Sequence, residues 1–431
     1  MSIGLLLKAE LKGRVAGSPA DTTGSPEELL QRMDLWVREY CATLSPTTCI
    51  GTRDDKPTLY CSLHPAGEDL EIALVDEDHV IASANTSTVG PGYHVFVCDM
   101  LQKLGKRFGA SWEAQTDEYS DETGYFHSGH QQQVFEEMTA WLEALAGSFF
   151  DGALESTDSG IRLAMPMDIG FLWEAPAITP MGPRETEWLQ RTAEDGATGR
   201  DFFAWWTPGV NAEYFLGRAL ARMWSDVRWR PPINEPERNV LKYVADSLET
   251  AYKLDANLNY PWAEWAGILD LLEQPSAEYD FVYRNSQGRQ PVIGYRRRDV
   301  TVQLPGNWWI TIPGSFSNFL EEGDALCAQD PPRGIWYSGY GFTENVEESF
   351  AHWRSQVQNW EKDLFHETED YVAEAQIRPG VGSGQEYFAL TSLNVCRVGR
   401  CICTIVFKEP EERDWAIGVW KSLQPPTRPT V

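Results

Sequence analysis

Apolar residues recur at helical spacing directly after a polar N-terminal segment. Residues 15–25 are small and polar, and Ser25, Pro26 and Glu28 then supply a capping box with a proline at the first helical position. A stripe of apolar residues follows at intervals of three and four: Leu29, Met33, Trp36, Val37 and Tyr40. This pattern predicts an amphipathic helix that buries one face.

Alternating apolar and polar positions predict a sheet in the rest of the first 175 residues. Strands are predicted at 58–63, 69–75, 79–84 and within 161–173. Helices are predicted at 93–104 and 130–145, and Ser128 and Gln131 are placed as a capping box for the second. Together these elements predict an α/β or α+β domain in which helices cover a sheet.

The pattern becomes helical in the middle of the chain and then returns to strands. Helices are predicted at 184–194, 211–226, 236–254 and 261–273. Beyond Tyr279, strands are predicted at 281–284, 292–296, 300–304, 308–312, 371–377, 387–395 and 400–407, with helices at 345–363 and 411–423. We therefore predict an α/β to α+β multidomain protein with an N-terminal domain (1–175), a helical segment (183–275) and a C-terminal α+β domain (279–431).

The last block resembles the PsbP-like fold, in which a helix-flanked antiparallel sheet ends in a short C-terminal helix. The residues that carry the resemblance are Val302 to Trp309, Asp414-Trp415-Ala416 and Lys421-Ser422-Leu423. The similarity covers about a third of the chain and rests on core and turn positions. That superfamily includes small bacterial domains that act as chaperones or adaptors for secreted toxins, so the resemblance implies a binding role by analogy.

The charge balance of the chain narrows the plausible partners. The sequence holds 36 basic and 64 acidic residues, which gives a net charge of −28. Binding to nucleic acid or to an anionic membrane needs a basic stripe, and the compact basic run Arg296-Arg297-Arg298 is followed at once by Asp299. We therefore expect no nucleic-acid or membrane partner. The 18 tryptophans supply material for cores and for interfaces.

The eight cysteines form no CxxC pair. Cys401 and Cys403 alternate along a predicted strand and so point to the same face. With Cys396 they form either a thiol or metal site or a set of small core residues. The N-terminus lacks the apolar run of a signal peptide and no stretch has the length of a membrane span, so we predict a cytoplasmic protein with free thiols.

Several short motifs are compatible with catalysis, but they do not converge on one reaction. The segment GPGYH at 90–94 begins a helix, where it either holds an anion or simply starts the helix. His94 and Cys98 share one helix face, which permits a thiolate pair. His127 and His130 are spaced to share a metal with His94 or with a carboxylate of the acidic stretch 113–122. We predict no catalytic, cofactor or metal residues, and the enzyme question stays open, with a lean towards no enzymatic activity.

Two acidic clusters in the first domain are stronger candidates for function. Asp76-Glu77-Asp78 lies at a predicted hairpin tip, and 113–122 mixes acidic with aromatic residues. Such surfaces suit a partner rich in lysine and arginine, although a solvated loop has the same composition. The predicted partner-binding residues are Asp76, Glu77, Asp78, Trp112, Glu113, Asp117, Glu118, Tyr119, Asp121 and Glu122.

These observations favour a non-enzymatic acidic binding protein. We expect a bacterial immunity or inhibitor protein that neutralises a toxin or another basic protein, since opposite charge accelerates association. A chaperone or adaptor for a secreted effector is one alternative. A metal-dependent hydrolase that uses His94, His127 and His130 is another, and a scaffold built on the helical middle is a third.

Overall fold

The computed structural model describes residues 2–11, 25–76, 78–155, 161–162, 165–166, 168–274, 277–321, 325–342, 345–359, 362–382 and 385–426. The chain is an α+β multidomain protein, which confirms the predicted fold class. It divides into two compact units. The first comprises Met1–Met165, Trp173–Val227 and Asn239–Gly294, and the second comprises Pro166–Leu172, Arg228–Arg238 and Tyr295–Val431. Apart from 228–238, the predicted helical segment 183–275 lies in the first unit.

An antiparallel sheet forms the base of the first unit. Its order is β2-β3-β4-β5-β1-β6, and β7 also pairs with β1. The strands are β1 (Gly4–Leu11), β2 (Thr47–Arg53), β3 (Lys56–Ser62), β4 (Leu70–Leu74), β5 (His79–Asn85), β6 (Ala110–Trp112) and β7 (Ser120–Asp121). The predicted strands at 58–63, 69–75 and 79–84 are confirmed as β3, β4 and β5. Strands β1 and β2 were not predicted.

Strand β1 joins β5 to the short strands β6 and β7. Leu5, Leu7 and Ala9 are buried, whereas Leu6 and Lys8 between them point to the opposite face. Because side chains alternate along a strand, this pattern gives the sheet one face towards the core and one open face.

Helices cover the core face of this sheet. They are α1 (Pro26–Tyr40), α2 (Pro91–Phe108), α3 (Tyr125–Ser128) and α4 (Gln131–Glu155). Helix α1 packs against β2 and β3, and α2 packs against β1. Helix α2 begins at the Gly-Pro-Gly turn, where Gly90 adopts a φ of 118° that favours glycine. The predicted capping box at Ser128 is wrong, because Ser128 ends α3 and its hydroxyl accepts a hydrogen bond from the His130 amide.

The predicted capping box of α1 is confirmed. Ser25 Oγ accepts a hydrogen bond from the Glu28 amide at 3.3 Å, and the Ser25 amide donates to Glu28 Oε2 at 3.0 Å. We expect Ser25→Ala to lower the free energy of unfolding by about 1 kcal/mol, measured by urea denaturation. Ser25→Asp keeps a capping oxygen and should lose only a few tenths of that. Equal stability of the two variants would contradict this role.

Short strands and a run of helices continue the chain. The strands are β8 (Ile161–Arg162), β9 (Ile169–Phe171), β10 (Ala177–Thr179) and β11 (Gly182–Arg184). The helices are α5 (Thr186–Glu194), α6 (Ala212–Ser225), α7 (Glu235–Leu254), α8 (Trp262–Leu271) and α9 (Asp280–Ser286). The four predicted helices of the middle segment are confirmed as α5 to α8. Among the described residues, no helix is both long and apolar enough to cross a membrane.

Two strands predicted after Tyr279 are wrong. Residues 281–284 lie in helix α9, and Tyr295–Arg297 is a single 3-10 turn. Phe281 stacks on Tyr252 of α7 at 4.7 Å between ring centroids, and Val282 is buried. A short apolar and aromatic run has strand propensity, but packing against neighbouring helices decides its conformation here.

The second unit contains two antiparallel sheets. Strand β12 (Asp299–Leu304) lies between β9 and β13 (Trp308–Pro313). The larger sheet has the order β14-β15-β16-β20-β19-β18-β17. Its strands are β14 (Ser317–Glu321), β15 (Ala325–Asp330), β16 (Arg333–Gly341), β17 (Leu364–Glu367), β18 (Tyr371–Gly382), β19 (Gln385–Cys396) and β20 (Gly399–Phe407). Helices α10 (Val346–Asn359) and α11 (Arg413–Lys421) pack on it. The predicted strands from 300 onwards and both predicted helices are confirmed, whereas β14 to β17 were not predicted.

Candidate functional site

The open face of the first sheet carries a groove with an acidic rim. Leu6 on β1 lies opposite Ser83 on β5, which in turn lies opposite Glu71 on β4. Leu6 is 39% exposed, and Ser83 and Glu71 are half-buried. The groove at this position encloses about 340 Å³, which is room for one or two side chains of a partner.

Carboxylates outnumber basic groups in the lining of this groove. Glu68, Asp69, Glu71 and Glu122 contribute four carboxylates, and Arg53 contributes the one guanidinium. Arg53 is bound to Glu71 in an ion pair. The residual charge of the lining is therefore strongly negative, so the groove favours a cationic guest.

Neighbouring polar groups orient two of these carboxylates. The Gly4 amide donates to Glu122 Oε2 at 2.6 Å, and Ser83 Oγ donates to Glu71 Oε2 at 3.4 Å. These bonds hold Glu122 and Glu71 on the open face, in positions to receive a lysine or an arginine.

Residues 113–119 of the acidic stretch lie outside the lining of the groove. Glu113 pairs with Lys8 at 3.4 Å, and Lys8 also lies over the Tyr119 ring at 5.6 Å. Asp117 and Glu118 are exposed. These residues therefore belong to a surface loop next to the groove. Their role in binding a partner stays a prediction.

Trp112 is a half-buried residue of the predicted set. Its indole Nε1 donates to the Leu101 carbonyl at 3.1 Å, and its ring meets Phe126 edge to face at 5.6 Å. The side chain therefore attaches β6 to helix α2, which is a packing role.

The hairpin tip between β4 and β5 carries Asp76 and Asp78, and Glu77 lies outside the described residues. Asp76 Oδ1 accepts a hydrogen bond from the Asp78 amide at 2.8 Å, and His79 Nδ1 donates to the same carboxylate at 2.9 Å. The amide and then the His79 hydrogen bond lower the pKa of Asp76. The Asp76 side chain therefore stabilises the hairpin turn in which it lies. Asp78 is exposed.

Asp121 was predicted to bind a partner, but the structure places it in the interior. Its side chain is 0% exposed because β7 turns Asp121 inwards and Glu122 outwards. Asp121 Oδ2 accepts from the Phe126 amide at 2.7 Å, and Oδ1 accepts from the Thr123 amide at 2.9 Å. Burial alone would raise the pKa of Asp121, but hydrogen bonds from His94 and these amides hold it below its usual value. A carboxylate saturated in this way is unavailable to a partner.

His94 is the centre of the same buried network. Its Nδ1 lies 2.8 Å from Thr86 Oγ1, and that hydroxyl oxygen lies 3.3 Å from the Ile3 carbonyl oxygen. Its Nε2 lies 3.0 Å from Asp121 Oδ1 and 2.9 Å from Thr123 Oγ1. The network connects the first turn of α2 to β1 and to the loop after β7, so its role is structural.

The proposed histidine metal site does not assemble. His94 is fully buried, whereas His127 and His130 are exposed at the end of α3 and before α4. Both ring nitrogens of His94 already face other partners. The structure therefore contradicts the set His94, His127 and His130 as a catalytic metal site.

Among the described residues, the ligand atoms of His94, Cys98 and Asp121 come within 4.8 Å of one another. A histidine nitrogen, a cysteine sulfur and a carboxylate oxygen are all possible metal ligands. Cys98 Sγ lies 3.5 Å from His94 Nε2, but burial and then the Asp121 charge raise the pKa of the thiol well above its usual value. A neutral thiol is a poor nucleophile, which argues against a thiolate pair of His94 and Cys98. The ring nitrogens of His94 and the oxygens of Asp121 already have hydrogen-bond partners. We therefore assign the trio to the core of the fold.

The cysteines of the second unit also lie in the interior. Cys401 and Cys403 are buried on one face of β20 while Ile402 between them is 44% exposed, which confirms that the two share a face. Burial raises the pKa of Cys396 and raises that of Cys403 to about 12. Thiols that stay protonated at neutral pH behave as small apolar core residues.

Sequence reasoning missed most of the groove. Glu122 was predicted, but Arg53, Glu68, Asp69 and Glu71 were not singled out. One usable signal was present, because Glu71 stands between the apolar residues Leu70 and Ile72 and must point to the opposite face. The convergence of β1, β4 and β5 depends on the pairing of β1 with β5, which the sequence pattern did not predict.

Comparisons with known proteins add no family to this description. No family model matches the chain, and no curated protein matches it. A crystal structure of a protein from Bacteroides thetaiotaomicron VPI-5482 matches with a TM-score of 0.25 and 9% identity, over 30% of this chain. The match spans about half (48%) of that protein. A likeness this weak carries no argument about fold or function.

Proposed function

We propose that this chain is a non-enzymatic acidic binding protein, of the immunity or inhibitor kind, that binds and neutralises a toxin or another basic protein. The observation that carries the proposal is the acidic groove on the open face of the first sheet. The net charge of −28 supports it, because long-range attraction accelerates encounter with a basic partner.

The open sheet face supplies apolar contact next to the charges. Leu6 is 39% exposed beside the groove, and Tyr60 and Ile81 are half-buried on the same face of β3 and β5. Interfaces commonly combine an apolar centre with a polar rim. A lysine or arginine side chain from the partner would enter between Glu68, Glu71 and Glu122, with its aliphatic part against Leu6.

A chaperone or adaptor for a secreted effector is the second form of this proposal. It would use the same surface, and the PsbP-like resemblance of the C-terminal third supports it by analogy. The two forms differ in one result: an inhibitor abolishes the activity of its partner, whereas an adaptor leaves it intact.

Charge reversal in the groove tests the proposal. We expect Glu68→Lys/Asp69→Lys to weaken capture of a basic partner from the lysate of the source organism at least tenfold at 50 mM salt, because it reverses two of the four carboxylates. The matched control is Glu136→Lys/Glu137→Lys, which makes the same charge change on the exposed face of α4. Quantitative mass spectrometry of the captured proteins measures both.

The purified partner then decides between the outcomes. Binding that weakens with salt, is lost in the groove variant and is kept in the control would support the proposal, and an activity assay would separate inhibitor from adaptor. Capture of no basic protein, or equal losses in both variants, would reject the groove as the binding surface.

A further inference from the structure

The first unit contains a second cavity whose lining differs in character from that of the acidic groove. It encloses about 670 Å³, within the range of small-molecule sites. Helix α6 and residues 198–206 form much of its wall. The apolar part of the lining comprises Met181, Phe203, Trp206, Leu216, Leu220 and Leu258.

The charged part of this lining is basic. Arg184, Arg191 and Arg200 face two carboxylates, Asp201 and Glu213. Across the whole chain, acidic residues outnumber basic ones by 64 to 36, so the cavity inverts the balance of the protein. A local excess of guanidinium groups beside an apolar wall is suited to an anion with a hydrocarbon body.

Two of the arginines are held in fixed positions. Arg184 is 8% exposed, and its Nη2 donates to the Asp201 carbonyl at 2.8 Å while its guanidinium lies 5.1 Å from the centre of the Trp188 ring. The Arg200 guanidinium lies over Trp206 at 5.2 Å. Because stacking and hydrogen bonds restrict both side chains in advance, less conformational entropy is lost when a ligand binds.

Arg191 supplies a charge that is still available. It lies on the exposed side of α5 at the cavity, and its guanidinium has no hydrogen bond or ion pair with any of the residues that the structure describes. Arg200, in contrast, is 3.4 Å from Glu213 Oε1. A carboxylate in the cavity would therefore find its strongest uncompensated attraction at Arg191.

We propose that this cavity binds an amphipathic organic carboxylate. Arg191 and Arg200 bind the carboxylate head through charge-assisted hydrogen bonds, and Leu216, Leu220 and Leu258 cover the hydrocarbon body. This ligand site is separate from the acidic groove and does not depend on the proposed function.

Isothermal titration calorimetry of the full chain with decanoate, below its micellar concentration and at 150 mM salt, tests the site. We expect one decanoate per chain. Acetate has the head without the body and should bind at least a hundredfold more weakly. Arg191→Gln and Arg200→Gln should each weaken decanoate binding at least tenfold, whereas Arg284→Gln on the exposed side of α9 should change it less than twofold.

Decylammonium separates specific binding from simple attraction to an acidic protein. We expect it to bind, if at all, at several weak and salt-sensitive sites whose affinity Arg191→Gln leaves unchanged. Absence of decanoate binding, equal losses in Arg191→Gln and Arg284→Gln, or one-to-one competition of decylammonium with decanoate would each overturn the proposal. The exposed position of Arg191 keeps its variant folded, which the unchanged thermal transition would verify.

Discussion

Replacing Asp121 with alanine should lower the free energy of unfolding of the first unit by about 3–5 kcal/mol, because it leaves several buried hydrogen-bond donors without an acceptor, at roughly 1–3 kcal/mol each. Asp121 is 0% exposed and lies 3.0 Å from His94 Nε2. Without its carboxylate, the Phe126 and Thr123 amides and the His94 ring lose their acceptor in the interior. Urea denaturation, followed by tryptophan fluorescence, measures the loss.

The same network predicts how this stabilisation depends on pH. Hydrogen bonds hold the pKa of Asp121 below its usual value in the folded protein. A group of this kind stabilises the fold above its unfolded pKa of about 4, and the contribution is lost as the pH falls through the lower folded pKa. We therefore expect the difference in the free energy of unfolding between wild type and Asp121→Ala to be largest near pH 6 and to decrease in strong acid.

Asp117→Ala is the matched control, because it removes an exposed carboxylate from the same loop. Surface substitutions of this kind change stability by roughly 0.5 kcal/mol or less. If Asp121→Ala lost no more stability than Asp117→Ala, the buried network would have no structural role, and His94, Cys98 and Asp121 would have to be reconsidered as a ligand site.

Asp121 and Glu122 differ in a way that the sequence did not predict. Both lie in one acidic stretch, and the composition of that stretch does not distinguish them. Their difference depends on the pairing of β7 with β1, in which Asp121 lies opposite Leu5 on the core face. A shift of one residue in that register would exchange the two side chains, and nothing in the local sequence fixes the register.

Local signals were sufficient at the beginnings of α1 and α2. Ser25 and Glu28 predicted the first, and the Gly-Pro-Gly turn predicted the second. The same kind of signal failed at Ser128, because the short helix α3 ends at that residue. The groove and the arginine-lined cavity combine residues from distant parts of the chain. Their composition therefore follows from tertiary packing, which no local pattern contains.

Glu374 is a further case in which position overrides residue type. It stands on β18 between Ala373 and Ala375 and is 1% exposed. It lies opposite Leu393, a member of the apolar cluster formed with Phe350 and Val357 of α10. Neither of its carboxyl oxygens has a hydrogen-bond partner among the described residues.

An isolated carboxyl group in such surroundings favours its neutral form. Burial raises the pKa of Glu374 from 4.5 to about 7, although the charge of Lys362 partly opposes the shift. The folded state then holds a proton that the unfolded state has released between these two values. Stability must fall as the pH rises from about 4.5 to about 7, and it stays low above that range.

Glu374→Gln removes this titration and should therefore remove the pH dependence that it causes in the free energy of unfolding. Each pKa unit corresponds to about 1.4 kcal/mol, so we expect wild type to lose up to about 3 kcal/mol between pH 5 and pH 8 that Glu374→Gln does not lose. Urea denaturation of the second unit at pH 5 and pH 8 measures the change in the free energy of unfolding for each protein. The cost of burying the amide in the Glu374→Gln variant is the same at both pH values, so it cancels from this change. Glu386→Gln, at an exposed position on β19, should keep the wild-type dependence. If Glu374→Gln also kept it, the carboxyl group would be ionised in the folded protein, and water or a cation would have to reach it beneath α10.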